Sequence, residues 1–364
     1  MCPRSRRRPG SRINDQRLAG WTFVAPVVLI LGVFLFIPVL MALWVSVSDW
    51  TGRGSPFGDG VGFVGLQHYQ ELLGGQGLAA RDFGIAVRNN IFYVLLVVPL
   101  QTVLSLFLAV MVTRKWLRGK GIFRTAFYFP SVTSSVAITV LWLFLFSQSG
   151  AINKVLAWLG LHGPNWFQDP RGIIHIALGA LGVEPSASMQ APTLFGVSTW
   201  DWIAGPSVAM TAFICMAVFT TSGTFMLLFI AALQNIGEET TEAAMVDGAG
   251  AWQRFWHITL PMLKPTLFTV ITLGLIGTWQ VFDQIYTGTQ GGPAKTTMTP
   301  AYLSYESAFL NQSWGRGAAI AFVLFAIIIL MTLLQRWVLG DADYTKPSRR
   351  ERRRERRARR KAAR

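Results

Sequence analysis

Residues 202–237 read WIAGPSVAMTAFICMAVFTTSGTFMLLFIAALQNIG, 36 positions without an Asp, Glu, Lys or Arg. A bilayer core is crossed by about 20 apolar residues in an α-helix. A helix also satisfies its backbone N–H and C=O groups internally, which lipid demands. The stretch therefore predicts a membrane span with residues to spare. Five more charge-free runs accompany it, at 18–48, 89–113, 125–153, 265–282 and 317–335. Each carries a dense Leu/Val/Ile/Phe/Ala core. The fold class this predicts is an all-α integral membrane protein with six transmembrane helices.

Two other charge-free runs fail the same test. Residues 172–183 are only 12 long, and 185–200 carry Pro185 and Pro192 among polar residues. The segment 164–206 thus reads as one long non-spanning loop with a short apolar helix. A seventh span at 172–183 is the rival reading.

Composition agrees with a membrane body. Of 364 residues, 52% are hydrophobic and 14% charged, against roughly 25% charged in a soluble domain. That excludes a soluble enzyme, a disordered chain and a disulfide-stapled secreted module. The net charge of +15 lies entirely in two tails. Residues 1–17 contribute +5 and residues 346–364 contribute +10, while 18–345 balance to zero. The boundaries expected are a basic tail at 1–17, a membrane domain at 18–340 and an Arg-rich tail at 341–364. An Arg run of this kind is attracted to anionic lipid; a nucleic-acid partner is not expected. Cys2 and Cys215 lie in a tail and an apolar run, so neither a structural disulfide nor a metal cluster is expected.

Lys and Arg in short loops set orientation. The 114–124 loop carries Arg114, Lys115, Arg118, Lys120 and Arg124. By contrast, 49–86 carries only Arg53 and Arg81, and 154–201 only Lys154 and Arg171. An even number of spans places both basic tails and the 114–124 loop on the cytoplasmic side. A seventh span would move one tail outside. The apolar run after Arg6-Arg7-Arg8 is longer than a signal-peptide core, so it reads as a permanent first helix.

One segment is unlike the rest. Residues 236–261 read IGEETTEAAMVDGAGAWQRFWHITLP and fall between two apolar runs on the predicted cytoplasmic side. Glu238, Glu239 and Glu242 cluster where a helix would begin, which suits its positive end. Ala243 and Ala244 continue it through Asp247, and Gly248 sits where a left-handed cap belongs. A second amphipathic helix is expected over about 251–259, carrying Trp252, Phe255, Trp256 and Ile258. After Leu260, Pro261 and Pro265 would open the next membrane helix, where a missing donor does no harm.

The pattern Glu242-Ala243-Ala244, three residues, Gly248, nine residues, Ile258, one residue, Leu260-Pro261 resembles the EAA loop in membrane subunits of binding-protein-dependent ABC importers. Phe63-Val64-Gly65-Leu66-Gln67-His68-Tyr69, Gly150-Ala151-Ile152-Asn153 and Thr289-Gln290-Gly291-Gly292-Pro293 resemble segments of the sugar permeases among them. The likeness to maltose-type and glycerol-3-phosphate-type permeases runs from about 18 to 340.

The resemblance implies the type I importer permease fold with both termini cytoplasmic, in a prokaryotic cell membrane. It implies that 236–261 is a coupling loop seated on a cytoplasmic ATPase through Glu238, Glu242, Ala243, Ala244, Asp247, Gly248, Ile258, Leu260 and Pro261. The partners it implies are a second homologous permease, an ATPase dimer, an extracytoplasmic solute-binding protein and a carbohydrate. No cofactor is implied on this chain; ATP and Mg belong to the ATPase. Two departures stand out. Gly237 replaces a frequent proline, and the outer loop 154–206 is extended.

Other chemistry is sparse. No G-x-x-x-x-G-K-[ST] phosphate loop occurs, so energy must come from a partner. Asn89, Asn90 and Gln101 suit either interhelical hydrogen bonds or a substrate path. Ser131, Thr133, Ser134 and Ser135 would occupy carbonyls freed around Pro130. Trp279, Asp283 and Tyr286, at i, i+4 and i+7, would share one helix face suited to a sugar ring or to an interfacial aromatic belt. The alternative of a different class is a stand-alone secondary transporter. It calls for ionisable residues near mid-membrane, and the six runs contain no Asp, Glu, Lys or Arg.

Overall fold

A computed structural model describes residues 9–74, 77–114, 117–183, 187–194 and 197–339. The Arg-rich tail at 341–364, residues 1–8 of the 1–17 tail and Lys115 lie outside the described residues.

The described residues are mostly helical. It begins with α1 (Pro9–Leu31), a π-helical stretch over Gly32–Phe36, and α2 (Ile37–Ser46). Then follow α3 (Gln67–Leu73), α4 (Gly77–Thr113), α5 (Lys120–Val132), α6 (Ser135–Leu145) and α7 (Ala151–Trp158). The next segment holds α8 (Ile173–Ala180), α9 (Ala187–Gln190), the antiparallel pair β1 (Pro192–Leu194) and β2 (Val197–Ser198), and α10 (Thr199–Ile203). After it come α11 (Val208–Gln234), α12 (Glu238–Val246), α13 (Ala251–Arg254), α14 (Leu260–Met262) and α15 (Lys264–Trp279). Last are α16 (Asp283–Gly288), α17 (Pro300–Tyr305) and α18 (Trp314–Leu339).

Four helical stretches are long and apolar enough to cross a membrane: Gly20–Ser46, Gly77–Thr113, Val208–Gln234 and Trp314–Leu339. Two more pairs reach that length only together. α5 and α6 bend by 99° at their junction, and Ala251–Met262 and α15 bend by 66°. The run 125–153 is therefore not one straight helix. Thr133 and Ser134 take extended backbone at the break, with ψ of 147° and 131°. Pro130 has already removed one donor from that turn. Ser131 Oγ donates to Tyr128 O at 2.7 Å and Thr133 Oγ1 to Phe129 O at 3.0 Å, as serine and threonine near a proline were expected to do. Ser135 does not join them; its hydroxyl is buried without a partner.

Three other expectations need correction. The run 89–113 is only part of α4, which begins at Gly77 and is about 55 Å long at 1.5 Å per residue. Its first turns carry Arg81, Asp82 and Arg88 beyond the apolar stretch. The second amphipathic helix does not stop at 259. It continues to Met262 through a π-helical stretch over Phe255–Thr259, so Pro261 lies inside it and only Pro265 opens the next helix. Finally, α15 ends at Trp279 and α16 begins at Asp283, with Phe282 at φ −136° and ψ −58° between them. Trp279, Asp283 and Tyr286 therefore do not share a helix face.

The chain divides into two compact units. One comprises Met1–Glu71 and Ser304–Phe322. In it, the expected Phe63–Tyr69 segment ties the end of α2 down. Phe63 bridges Ser48, His68 Nε2 donates to Ser48 O at 3.0 Å, and Tyr69 Oη donates to Ser46 Oγ at 2.8 Å. A β-carbon at Gly315 would overlap His68 Nε2 and Ser48 O, so glycine is needed there. The other unit comprises Leu72–Leu303 and Val323–Arg364. Its core is the packing of α4, α11 and α15, where Ala109, Val112, Phe229, Ile230, Leu263 and Val270 are buried together. The segment 164–206 is non-spanning as expected but more ordered than a plain loop. α8 is only about 12 Å long, and Asp169 accepts a bidentate pair from Arg171 at 2.7 and 3.0 Å.

Candidate functional site

The segment between α11 and α15 is built by local rules. Gly237 takes extended backbone, φ −58° and ψ 137°, and α12 starts directly after it. Glu239 and Glu242 lie in its first turns, where negative charge meets the positive helix end. The side chain of Glu238 lies outside what is described. At the other end, Gly248 has φ +79°. The Gly248 N–H donates to Met245 O at 3.1 Å and the Ala249 N–H to Ala244 O at 2.9 Å. That pair of bonds is the Schellman closure of a helix, which asks for a left-handed residue at this position. Beyond the turn, Gly250 N–H donates to Gln253 Oε1 at 2.9 Å and starts α13.

The resulting helix-turn-helix keeps apolar side chains in the open. Val246 is 87% exposed and Trp252 73%. Trp252, Phe255 and Trp256 form one aromatic group, with ring centroids 5.6–6.3 Å apart. Glu242, Ala243 and Asp247 are exposed, Ala244 is buried, and Ile258, Leu260 and Pro261 are half-buried. The sequence-predicted residues thus fall into an outward set on α12 and a set further along that anchors to the membrane helices. Leu263, fully buried in the α4–α11–α15 core, fixes the far end. A surface of exposed tryptophan, valine and carboxylates can bind a protein.

A second feature lies inside that same core. A cavity of about 220 Å³ is lined by Tyr93, Gln101, Thr221, Gly274, Gly277 and Gln284, among others. Gln101 is fully buried. Its Oε1 accepts from Thr221 Oγ1 at 2.6 Å, and its Nε2 has no partner. A β-carbon on Gly274 would run into that Nε2, so glycine there makes the room. Asn90, three turns before Gln101 on α4, donates from Nδ2 to Trp279 O at 3.4 Å. Asn89 donates to Lys295 O at 2.8 Å and Met298 O at 3.0 Å, an interhelical role. Trp279 is 2% exposed and packs with Leu324 and Ile328. Asp283 and Tyr286 are exposed. Of the five path candidates only Gln101 lines the cavity; Gln284, Thr221 and Tyr93 were missed. Among the described residues no group of three or more His, Cys, Asp or Glu is placed to hold a metal ion.

Residues 91–340 match the family described as the inner membrane component of binding-protein-dependent transport systems. The lactose transport system permease LacF of Rhizobium radiobacter is 32% identical over 325 residues, 87% of this chain and 92% of that protein. The arabinooligosaccharide transport system permease AraP of Halalkalibacterium halodurans is 27% identical, covering 90% and 89% of the two chains. Among solved structures, a bacterial ABC transporter importing the acidic polysaccharide alginate superposes with a TM-score of 0.69 at 19% identity, over 93% of this chain and all of that one. At that identity the likeness speaks for the fold.

Proposed function

The chain belongs to the family of inner membrane components of binding-protein-dependent transport systems, and from that premise we propose that it carries a carbohydrate across a prokaryotic cell membrane. It is a multi-pass permease subunit of an ABC importer. Six spans are supported by counting each bent pair as one crossing; both termini then share a side, and their Arg content favours the cytoplasm. The named relatives handle lactose and arabinooligosaccharides, and a neutral sugar suits a path whose polar groups are amides and hydroxyls.

The observation that carries the reading is the helix-turn-helix at 238–262. It is rigid, open and apolar where a coupling surface is needed. An ATPase pair binds ATP and Mg and grips this loop through Glu242, Ala243, Asp247 and Gly248, with Glu238 at the helix start. Ile258, Leu260 and Pro261 transmit its displacement to α15. A second permease completes the path, and a solute-binding protein delivers sugar at the outer face, where the extended 154–206 segment lies. Gln101 and the cavity around it are the part of the path this chain contributes, with Asn90 behind it; Trp279, Asp283 and Tyr286 flank the turn that closes one end.

The test is reconstitution in liposomes with the partner permease, ATPase and binding protein. Uptake is expected to require ATP and binding protein and to survive collapse of proton and sodium gradients. Uptake by this chain alone, driven by an ion gradient, would establish a secondary transporter instead.

A further inference from the structure

Away from both features, a cavity of about 240 Å³ is lined by three guanidinium groups, Arg81, Arg88 and Arg171, and a single carboxylate, Asp201. Arg88 is its built part. It is only 8% exposed, Nη1 donates to the main-chain O of Asp201 at 3.1 Å, and Nη2 donates to Asn89 Oδ1 at 2.9 Å. Nε is buried without a partner. The Asp201 carboxylate is turned to Ser198, accepting from its Oγ at 2.8 Å. Arg88 therefore gives all its hydrogen bonds to neutral oxygens and makes no ion pair among the described residues. Arg171 stands at the rim, held by Asp169 at 2.7 Å. Arg81 is exposed and has no ion pair among the described residues.

A buried cation without a direct ion pair is costly even with the Asp201 carboxylate in the same cavity, and it is stabilised when an anion enters beside it. Guanidinium forks match the planar or tetrahedral oxygens of carboxylate and phosphate. With a free arginine at the opening and an unpartnered N–H inside, both needs are met by the same ligand. We propose that this cavity binds a small solute through its oxyanion, a carboxylate or a phosphate ester, between Arg88 and Arg81. The site is separate from the Gln101 cavity and from the coupling loop, so it does not depend on the carbohydrate reading.

Calorimetric titration of the assembled transporter in nanodiscs tests it, with glucuronate and inorganic phosphate as probes and glucose as the neutral control. At least one anion is expected to bind, equally well with or without glucose present, with affinity falling as salt rises. Arg81→Gln, at the exposed opening, is expected to weaken binding about tenfold without affecting assembly. Arg88→Lys, which keeps the charge but not the fork, is expected to abolish it. Failure of both anions to bind, displacement of the bound anion by glucose, or binding unchanged in Arg81→Gln would overturn the proposal. Transport activity enters none of these readouts.

Discussion

Glycines decide the two features that matter most, and each for a different reason. At Gly248 the reason is conformation: φ is +79° and nothing lies within 4 Å of a β-carbon built there. A side chain has room but loses roughly 1 kcal/mol of backbone ease. Gly248→Asp is therefore expected to leave the protein in the membrane while releasing the ATPase or uncoupling hydrolysis from uptake. Glu242→Lys should do so more weakly, by reversing charge at the helix start. Co-purification of the ATPase, with binding-protein-stimulated hydrolysis, reads both. At Gly274 the reason is space. Gly274→Ala forces Gln101 aside and is expected to cost about 1–3 kcal/mol as overpacking does. Gly277→Ala meets nothing within 4 Å and should leave stability unchanged while narrowing the cavity. A thermal melt separates the two; if both melt alike, the cavity geometry described here is wrong.

At the scale of elements, two prolines recur in one arrangement. Pro38 and Pro261 each follow a π-helical stretch by two residues, Gly32–Phe36 and Phe255–Thr259. A proline ring inside a helix collides with the carbonyl four residues earlier. Widening the preceding turn, so that Ile37 N–H reaches Gly32 O and Leu260 N–H reaches Phe255 O, lets the helix run on. Reading Pro261 as a helix start missed this, because composition reports that a donor is gone but not that the turn before it has widened. The Trp279–Asp283–Tyr286 spacing misled for a related reason: periodicity assumes an unbroken helix, and the break at 280–282 carries no Pro or Gly to announce it. The pair Asp169–Arg171 gives a pH prediction. The side-chain hydrogen bond from Arg171 is the main cause holding the Asp169 carboxyl below its ordinary value, with burial opposing. A depressed carboxylate stabilises the fold above its unfolded pKa, about 3.9, and that contribution is lost as pH falls through the folded value. Hydrogen exchange at the Ala209 N–H, which donates to Asp169 O at 3.3 Å, should thus keep its protection down to about pH 4 and lose it below. In Asp169→Asn the protection should be low and without that transition.

Across the whole chain, the apolar runs located the long helices more readily than their shapes. Charge-free length locates a span, and four of the six runs lie in single long helical stretches. It says nothing of a 99° bend, which follows from two extended residues. The 236–261 helix-turn-helix was legible to its cap because each part is set by short-range chemistry: acidic start, left-handed glycine, aromatic face. The cavity around Gln101 was not, since Tyr93, Thr221 and Gln284 lie on separate elements and meet only through packing. Arg88 escaped notice because it adjoins an apolar run without interrupting it. Sidedness is tested by single cysteines in a background lacking Cys2 and Cys215. Position 118 should react with an impermeant thiol reagent only after permeabilisation, and positions 60, 180 and 295 in intact cells. Label at 180 only after permeabilisation would remove the six-span arrangement.

The bare tryptophan and valine of the 238–262 turn have a consequence for the chain before it finds a partner. An unassembled copy displays to the cell interior the kind of greasy surface that chaperones and proteases survey. On the proposed assembly, its lifetime would be governed by how soon an ATPase covers that surface. Subunit stoichiometry on that assembly would be written into this turn: surplus permease would be marked for removal by the same side chains that a partner covers.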